Sequence, residues 1–265
     1  MIPSLAAAAL LLATATTAAP PAPGTTIFIA GDSTAAPYRA NRAPQTGWGM
    51  LLPCALDATV RVENRAVGGR STRTFITEGR LDRIAADIRA GDVLLIQFGH
   101  NDASIDKPER YARADTDYVI NLLRYIGIAR KAGAFPVLLT PVPRNAFTGA
   151  TADESFPRYA AAMRRVAQQT NTPLIEVGRQ GAAWLTRTGA ARAQAYYLHL
   201  PVGTTNYPRG LSDNTHFSEA GARGIATIVA RGLRGLNLPV STHVRGDVAP
   251  PGPVARGPMA CPVRR

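Results

Sequence analysis

The feature that most restricts the fold of this chain is an alternation of two hydrophobic periods. Short apolar runs rich in β-branched residues recur at Thr26–Ala30, Val60–Ala66, Val93–Phe98, Pro136–Thr140 and Pro173–Val177. Runs this short, bounded by Gly and polar residues, read as strands buried on both faces. Stretches with helical spacing lie between them. In Tyr111–Ala132 the residues Tyr118, Val119, Leu122, Leu123, Ile126 and Ala129 repeat at three and four positions, which predicts one buried face, and Gly133 supplies the stop. Ser155–Thr170 predicts a second helix, with Tyr159, Met163 and Val166 on one side. Ser218–Leu236 predicts a third, with Ser218 as N-cap and Glu219 favourably placed in its first turn. Strands alternating with helices imply a parallel sheet covered on both faces. Right-handed crossovers then bring every strand's C-terminal end to one edge, where ligand sites of such sheets lie.

The two ends of the chain read differently from its body. Leu5–Ala15 is almost wholly Ala and Leu, and small residues and Pro follow to Pro23. That is the layout of a secretory signal, although no Lys or Arg precedes the apolar run. The run is shorter than the about 20 residues a membrane span needs. Residues 1–22 are therefore expected to be an export signal, 23–240 one domain, and 241–265 a tail rich in Pro, Gly and Arg. An apolar content of 46% is enough for that domain to bury a real core. Cys54 and Cys261 are the two cysteines, and in an exported protein they either form one disulfide that pins the tail or stay as two thiols. No His/Cys cluster has zinc-ligand spacing, so no metal is expected.

Four polar motifs sit at the predicted strand ends or before the last helix. Gly31-Asp32-Ser33-Thr34 places a serine just past the first strand, as a nucleophile on a tight turn would be placed; alone, it equally suits a capping serine. Gly68 and Gly69 follow the second strand within Asn64–Ser71, where a backbone N–H can reach a developing oxyanion or simply make a turn. Gly99-His100-Asn101-Asp102 follows the third, and Asn101 offers a side-chain amide donor or an Asx turn. Asp213-Asn214-Thr215-His216 precedes the last helix, and its three-residue spacing lets the carboxylate hold one imidazole nitrogen while the other takes a serine proton. Each motif is weak alone. The ordered set of a serine, two oxyanion donors and an Asp/His pair is not.

With these residues the chain resembles the SGNH (GDSL-type) hydrolases, whose four blocks match GDST, NRAVGGRS, GHND and DNTH in order between Gly31 and His216. The wording of Gln97–Asp102 (QFGHND) and Asn206–Ala222 (NYPRGLSDNTHFSEAGA) is similar to the rhamnogalacturonan acetylesterase branch. The resemblance implies a flavodoxin-like three-layer α/β/α fold with a five-stranded parallel sheet. It implies Ser33 as nucleophile, His216 as general acid/base and Asp213 as its orienting partner. Ser33, Gly69 and Asn101 would supply the oxyanion hole, and no metal or organic cofactor would be needed. His100 has no catalytic part in that scheme. The expected reaction is removal of acetyl groups from a plant cell-wall polysaccharide by a secreted or periplasmic monomer. Acetylated xylan esterase, lipase, thioesterase, acyltransferase and a non-catalytic carbohydrate binder are the alternatives.

The formal net charge of +12 is carried almost wholly by Arg, with Lys107 and Lys131 the only lysines. It suits either an ordinary solvated basic surface or capture of an anionic pectic polymer. The cations form no dense run beyond Arg164-Arg165 and Arg264-Arg265, and no nucleic-acid motif accompanies them. Arg70 and Arg73, close to the oxyanion loop, are candidate carboxylate contacts. Tyr197 and Tyr207, within the aromatic, Pro- and Gly-containing stretch Tyr196–Gly210, are candidates for a sugar-facing wall, with a packed loop as the plainer reading.

Overall fold

The computed structural model describes residues 24–246. Five strands, β1 (Thr26–Gly31), β2 (Arg61–Asn64), β3 (Val93–Gln97), β4 (Phe135–Leu139) and β7 (Leu174–Ile175), form one parallel sheet in the order β2-β1-β3-β4-β7. These are the five runs expected: β2, β3 and β7 are shorter than the apolar runs, β1 extends one residue further to Gly31, and β4 is shifted one residue earlier. Two short strands, β5 (Phe147–Thr148) and β6 (Thr151–Ala152), pair with each other, and β8 (Tyr197–Leu200) pairs antiparallel with β9 (Leu211–Phe217).

The two faces of the sheet follow from the period-2 pattern within each strand. Ile27, Ile29, Val93, Leu95, Val137 and Leu139 point to one side. There they meet α5 (Val177–Thr188) through Leu185 and α7 (Glu219–Arg234) through Ile225, Val229 and Leu233. Phe28, Ala30, Leu94, Ile96 and Leu138 point to the other. That side is covered by α1 (Thr72–Thr77), α2 (Arg80–Asp87), α3 (Asp117–Lys131) and α4 (Pro157–Thr170). A short α6 (Ala190–Ala193) leads towards β8. The fold is thus a three-layer α/β/α sandwich.

Three details differ from expectation. Helix α3 begins at Asp117, six residues later than the pattern from Tyr111 suggested. Its buried face is Tyr118, Leu122, Tyr125, Ile126 and Ala129; Leu123 is exposed and Tyr125 takes the place expected for it. The residues before Asp117 form an anchored loop, with Ala112 N–H donating to the Asp102 carbonyl (3.0 Å) and Tyr159 Oη lying 2.8 Å from the carbonyl oxygens of both Asp102 and Ala112, which share its one hydrogen. Finally, the packed body continues past residue 240. Pro239–His243 is a 3-10 turn with Ser241 buried, and Val244 bridges to Leu56. The expected export signal at 1–22 lies outside the described residues, as does Cys261 and with it the question of a Cys54–Cys261 bridge. No helix among the described residues is long and apolar enough to cross a membrane.

In this strand order the chain leaves β1 for β2 on one side and returns past β1 to β3 on the other. The gap beyond the C-terminal ends of β1 and β3 is therefore the topological switch point, where loops diverge and leave a crevice. Ser33 follows β1 and Asn101 follows β3.

Candidate active site

Ser33 is held by neighbours that leave its hydroxyl unencumbered. Asp32 Oδ1 accepts the Thr34 N–H (2.9 Å) and lies 2.7 Å from Thr34 Oγ1, and Tyr38 Oη donates to the Ser33 carbonyl (2.6 Å). From the end of the neighbouring strand β2, Asn64 Nδ2 donates to the Ala35 carbonyl (2.7 Å). Ser33 Oγ meets a ring nitrogen, His216 Nε2, at 2.9 Å.

His216 reaches this position through a bulge. On β8, Tyr197 pairs with Phe217 but the next residue, Leu198, pairs with Asp213, so Asn214, Thr215 and His216 are extruded from the ladder. The Asp213 carboxylate organises the extrusion: Oδ1 accepts from the N–H groups of Thr215 (2.7 Å) and His216 (3.0 Å), and Oδ2 lies 2.7 Å from His216 Nδ1. Asn145 braces the outside, donating its N–H to the Asn214 carbonyl (2.8 Å) and Nδ2 to Asn214 Oδ1 (3.1 Å). The Asp/His pair sits on a bulged strand. Burial pushes the Asp213 carboxyl up, but the hydrogen bonds from the His216 ring and from the two backbone N–H groups, with the His216 charge, outweigh it and hold it at about 2.

Beside Ser33 lies a set of donors. Arg70 N–H donates to the Val67 carbonyl (3.3 Å), closing a turn in which Gly69 has φ +79°, a conformation that favours glycine. Among the described residues the N–H groups of Ser33 and Gly69 have no acceptor. Asn101 Nδ2 donates one hydrogen to the Arg70 carbonyl (3.0 Å), which leaves the other without a partner. At Gly99, just before, a Cβ would come within 2.5 Å of Pro141, so the β3 loop can run this close only with glycine there.

These groups line one open cavity of about 800 Å³. Ser33, His216, Gly68, Gly69 and Asn101 are on its wall, and so are Arg42, Arg70, Arg110 and Arg144. Tyr38, His100 and Phe156 are also on its wall, and among the described residues no aliphatic side chain lines it. Arg70 does reach the cavity, yet its guanidinium is engaged with Glu78 (3.1 Å) and with the Gly68 carbonyl (2.9 Å), so it braces the glycine turn. Arg73 is not on the wall; it pairs with Asp117 at 3.4 Å. Tyr207 is not on it either. Its hydroxyl donates to the Arg42 carbonyl (3.0 Å), clasping the 201–210 loop to the 39–45 loop. Tyr197 is buried with its hydroxyl on the Pro143 carbonyl (2.8 Å), as a core residue. Arg42, Arg110 and Arg144 were missed. They lie on loops between the motifs, where one arginine in a chain rich in them carries no local signal. Among the described residues Arg42 and Arg144 pair with no carboxylate, and both are exposed.

Behind Ser33 lie two fully buried acids. Burial pushes the Asp32 carboxyl up, but the neighbouring His100 ring (3.5 Å from Nδ1 to Oδ2) and the Thr34 hydrogen bonds outweigh it and hold it below the usual range. At 3.5 Å the His100 contact lies at the outer limit of hydrogen bonding. Asp102 goes the other way. Burial pushes it up to about 7, with Thr72 hydrogen bonds opposing and the Asp32 charge assisting. A carboxyl raised in the folded state binds its proton more tightly there, so its contribution to stability is full below about pH 4 and is lost as pH rises through about 7. Asp102→Asn, which resembles the protonated form, is therefore expected to raise the melting temperature relative to the parent by a few degrees at pH 8.5 and hardly at all at pH 4.5. Equal differences at the two pH values would refute this titration. Among the described residues no group of three or more His, Cys, Asp or Glu side chains is placed to hold a metal ion.

The chain is similar to known proteins in sequence and in fold. Residues 29–223 match the GDSL-like lipase/acylhydrolase family. The chain is 39% identical over 218 residues to YesY of Bacillus subtilis (strain 168), named a probable rhamnogalacturonan acetylesterase, a span covering 82% of this chain and 96% of that protein. It is 37% identical over 220 residues to rhamnogalacturonan acetylesterase RhgT of the same organism, covering 82% and 93%. Among solved structures, protein YxiM of Bacillus subtilis superposes with a TM-score of 0.70 at 28% identity, over 81% of this chain and 58% of that one. Axe2, an acetylxylan esterase of Geobacillus stearothermophilus, shares the fold, with a TM-score of 0.56 at 19% identity over 79% and 95%. The serine, the bulged Asp/His strand and the donor set all fall within the matched span, and the chain belongs to the GDSL-like lipase/acylhydrolase family of carboxylic ester hydrolases.

Proposed function

We propose that the protein is an exported serine acetylesterase that deacetylates pectic rhamnogalacturonan through an acyl-enzyme. The observation that carries the chemistry is the continuous path from Ser33 Oγ to His216 Nε2 (2.9 Å) and from His216 Nδ1 to Asp213 Oδ2 (2.7 Å), next to free donors. In this reading neutral His216 accepts the Ser33 proton at Nε2 as Oγ attacks the acetyl carbonyl. The N–H groups of Ser33 and Gly69 and the free Nδ2 hydrogen of Asn101 receive the oxyanion. His216 passes its proton to the departing sugar oxygen, leaving acetyl-Ser33. A water then loses its proton to Nε2 and attacks the acetyl carbon; Oγ departs, takes that proton back, and acetate is released.

The substrate assignment has two supports. Relatives covering most of this chain are named for rhamnogalacturonan. The cavity is wide, and among the described residues it has no aliphatic lining and carries Arg42 and Arg144 without carboxylate partners, which suits a hydrophilic, anionic polymer with a short acyl group and not a lipid. The Leu5–Ala15 run is the basis for export.

The test is acetate release from acetylated rhamnogalacturonan beside acetylated xylan and an uncharged aryl acetate. The pectic polymer is expected to be the better of the two polymers. Arg42→Ala/Arg144→Ala is expected to raise KM on it about tenfold, far more than on the aryl acetate, with added salt diminishing the difference. Equal rates on both polymers would keep the esterase and remove the pectic assignment. Equal effects of the double substitution on both ester types would remove the arginines from it.

A further inference from the structure

We propose that Arg110 is a positioning residue of the oxyanion hole, fixing the side-chain amide of Asn101 in its donating orientation and adding a positive charge next to it. The proposal rests on the reading of Asn101 as an oxyanion donor. Arg110 Nη1 donates to Asn101 Oδ1 at 3.1 Å, while Asn101 Nδ2 donates to the Arg70 carbonyl at 3.0 Å. Turning the amide over would place its NH₂ against the cationic N–H and its oxygen against a carbonyl, so both contacts would become repulsive. The two partners together select the orientation that leaves one Nδ2 hydrogen for substrate.

The same guanidinium lies over the glycine turn. A Cβ on Gly69 would stand 3.9 Å from Arg110 Nη1 and 4.0 Å from Nη2, so the cation is close to two of the three proposed donors. Its side chain is 27% exposed, and its carboxylate neighbour, Glu109, is itself 63% exposed and 3.4 Å away. An exposed pair at that distance neutralises little. The loop presenting Arg110 is well tethered: the N–H groups of Arg110 and Tyr111 both donate to the Lys107 carbonyl (3.0 Å), and Ala112 is fastened to Asp102, next to Asn101 itself. A fixed cation bonded to the amide oxygen polarises the amide and strengthens its N–H as a donor. Because the charge is already in place, no reorganisation is needed when the oxyanion forms.

The experiment measures kcat and KM on an uncharged aryl acetate, so that loss of a polymer contact cannot imitate the effect. Arg110→Gln is expected to lower kcat by about 10- to 100-fold with KM within about twofold, because the lost interaction acts on the transition state. Arg110→Met guards against a local misfold and should give the same fall with a melting temperature near the parent's. Arg110→Lys should recover part of kcat, since it restores charge without the planar fork. Asn101→Ala should lose about 10²- to 10³-fold, and adding Arg110→Gln to it should change kcat by less than about threefold, because the residue through which Arg110 acts is gone. Parent-like kcat in Arg110→Gln and Arg110→Met would overturn the proposal, as would an effect confined to KM or full additivity with Asn101→Ala. If Asn101→Ala itself keeps kcat, the underlying donor assignment falls, which is distinguishable from failure of Arg110 alone.

Discussion

Ser33→Ala is expected to lower kcat on a small aryl acetate by about four to six orders of magnitude while leaving the melting temperature almost unchanged. The two halves of that result have separate causes. The hydroxyl's hydrogen bond is to His216 Nε2, so its removal deletes the proposed nucleophile and breaks no tether of the turn. The turn itself is held by Asp32 and Thr34, by the Tyr38 hydroxyl on the Ser33 carbonyl, and by Asn64 from the neighbouring strand. The donors would remain and would still stabilise an oxyanion raised by water, which accounts for a residual rate above the uncatalysed one. Steady-state kinetics and a thermal melt on the same preparation check both parts. Activity that survives with an unchanged melt would place the nucleophile elsewhere and remove the role of the Ser33–His216 contact. Activity lost together with a lowered melt would show instead that the hydroxyl holds the turn.

Most of the sheet was legible in the sequence because strands buried on both faces have only one composition open to them. Ile27, Phe28, Ile29, Leu94, Leu95 and Ile96 must all be apolar, since alternate residues feed opposite helical layers. The layer assignment of helices was less legible. In α3 the pattern offered Leu123, and the structure buries Tyr125 instead, because Tyr125 Oη finds the Thr72 carbonyl (3.2 Å) and can be enclosed without an unpaired hydroxyl. The β8–β9 pair escaped altogether. Leu211–Phe217 contains Asp, Asn, Thr and His in succession, which no strand pattern would select; Ser212 and Asp213 pair with β8 all the same, and Asn214, Thr215 and His216 are extruded at the bulge.

The candidate site shows the same division. Ser33, Asn101 and His216 were legible because each lies in a short motif at a strand end or ahead of the last helix, where topology delivers side chains to one edge. The arginines around the cavity were not. Arg70 and Arg73 were chosen for nearness in sequence to the glycine turn, but both guanidiniums are turned to acidic partners, Glu78 and Asp117. Arg42, Arg110 and Arg144 come from three other loops and meet only in the folded cavity. Sequence distance is informative along a strand end and uninformative across loops.

Asp213→Asn is the second substitution expected to act by orders of magnitude, and it separates geometry from proton bookkeeping. The amide is nearly isosteric, so its oxygen can still accept the N–H groups of Thr215 and His216 and keep the bulge. Its NH₂ then faces His216 Nδ1, where the carboxylate Oδ2 had been, 2.7 Å away. Nδ1 is forced to become the acceptor, so the proton of the neutral ring moves to Nε2, the atom that must take the Ser33 proton. A ring with its base already occupied cannot serve as one, and kcat is expected to fall by about 10⁴ at neutral pH with KM little changed. In the parent the Asp213 carboxyl is held at about 2, so it stays ionised across the whole working range and adds no limb to the rate profile there. The rate profile on an aryl acetate, taken from pH 5 to 10, checks the argument. The asparagine variant should recover some rate in strong base, where hydroxide supplies what the ring no longer does. A loss of less than about tenfold at neutral pH would mean that the carboxylate merely braces the bulge, and the proton path through His216 would have to be drawn without it.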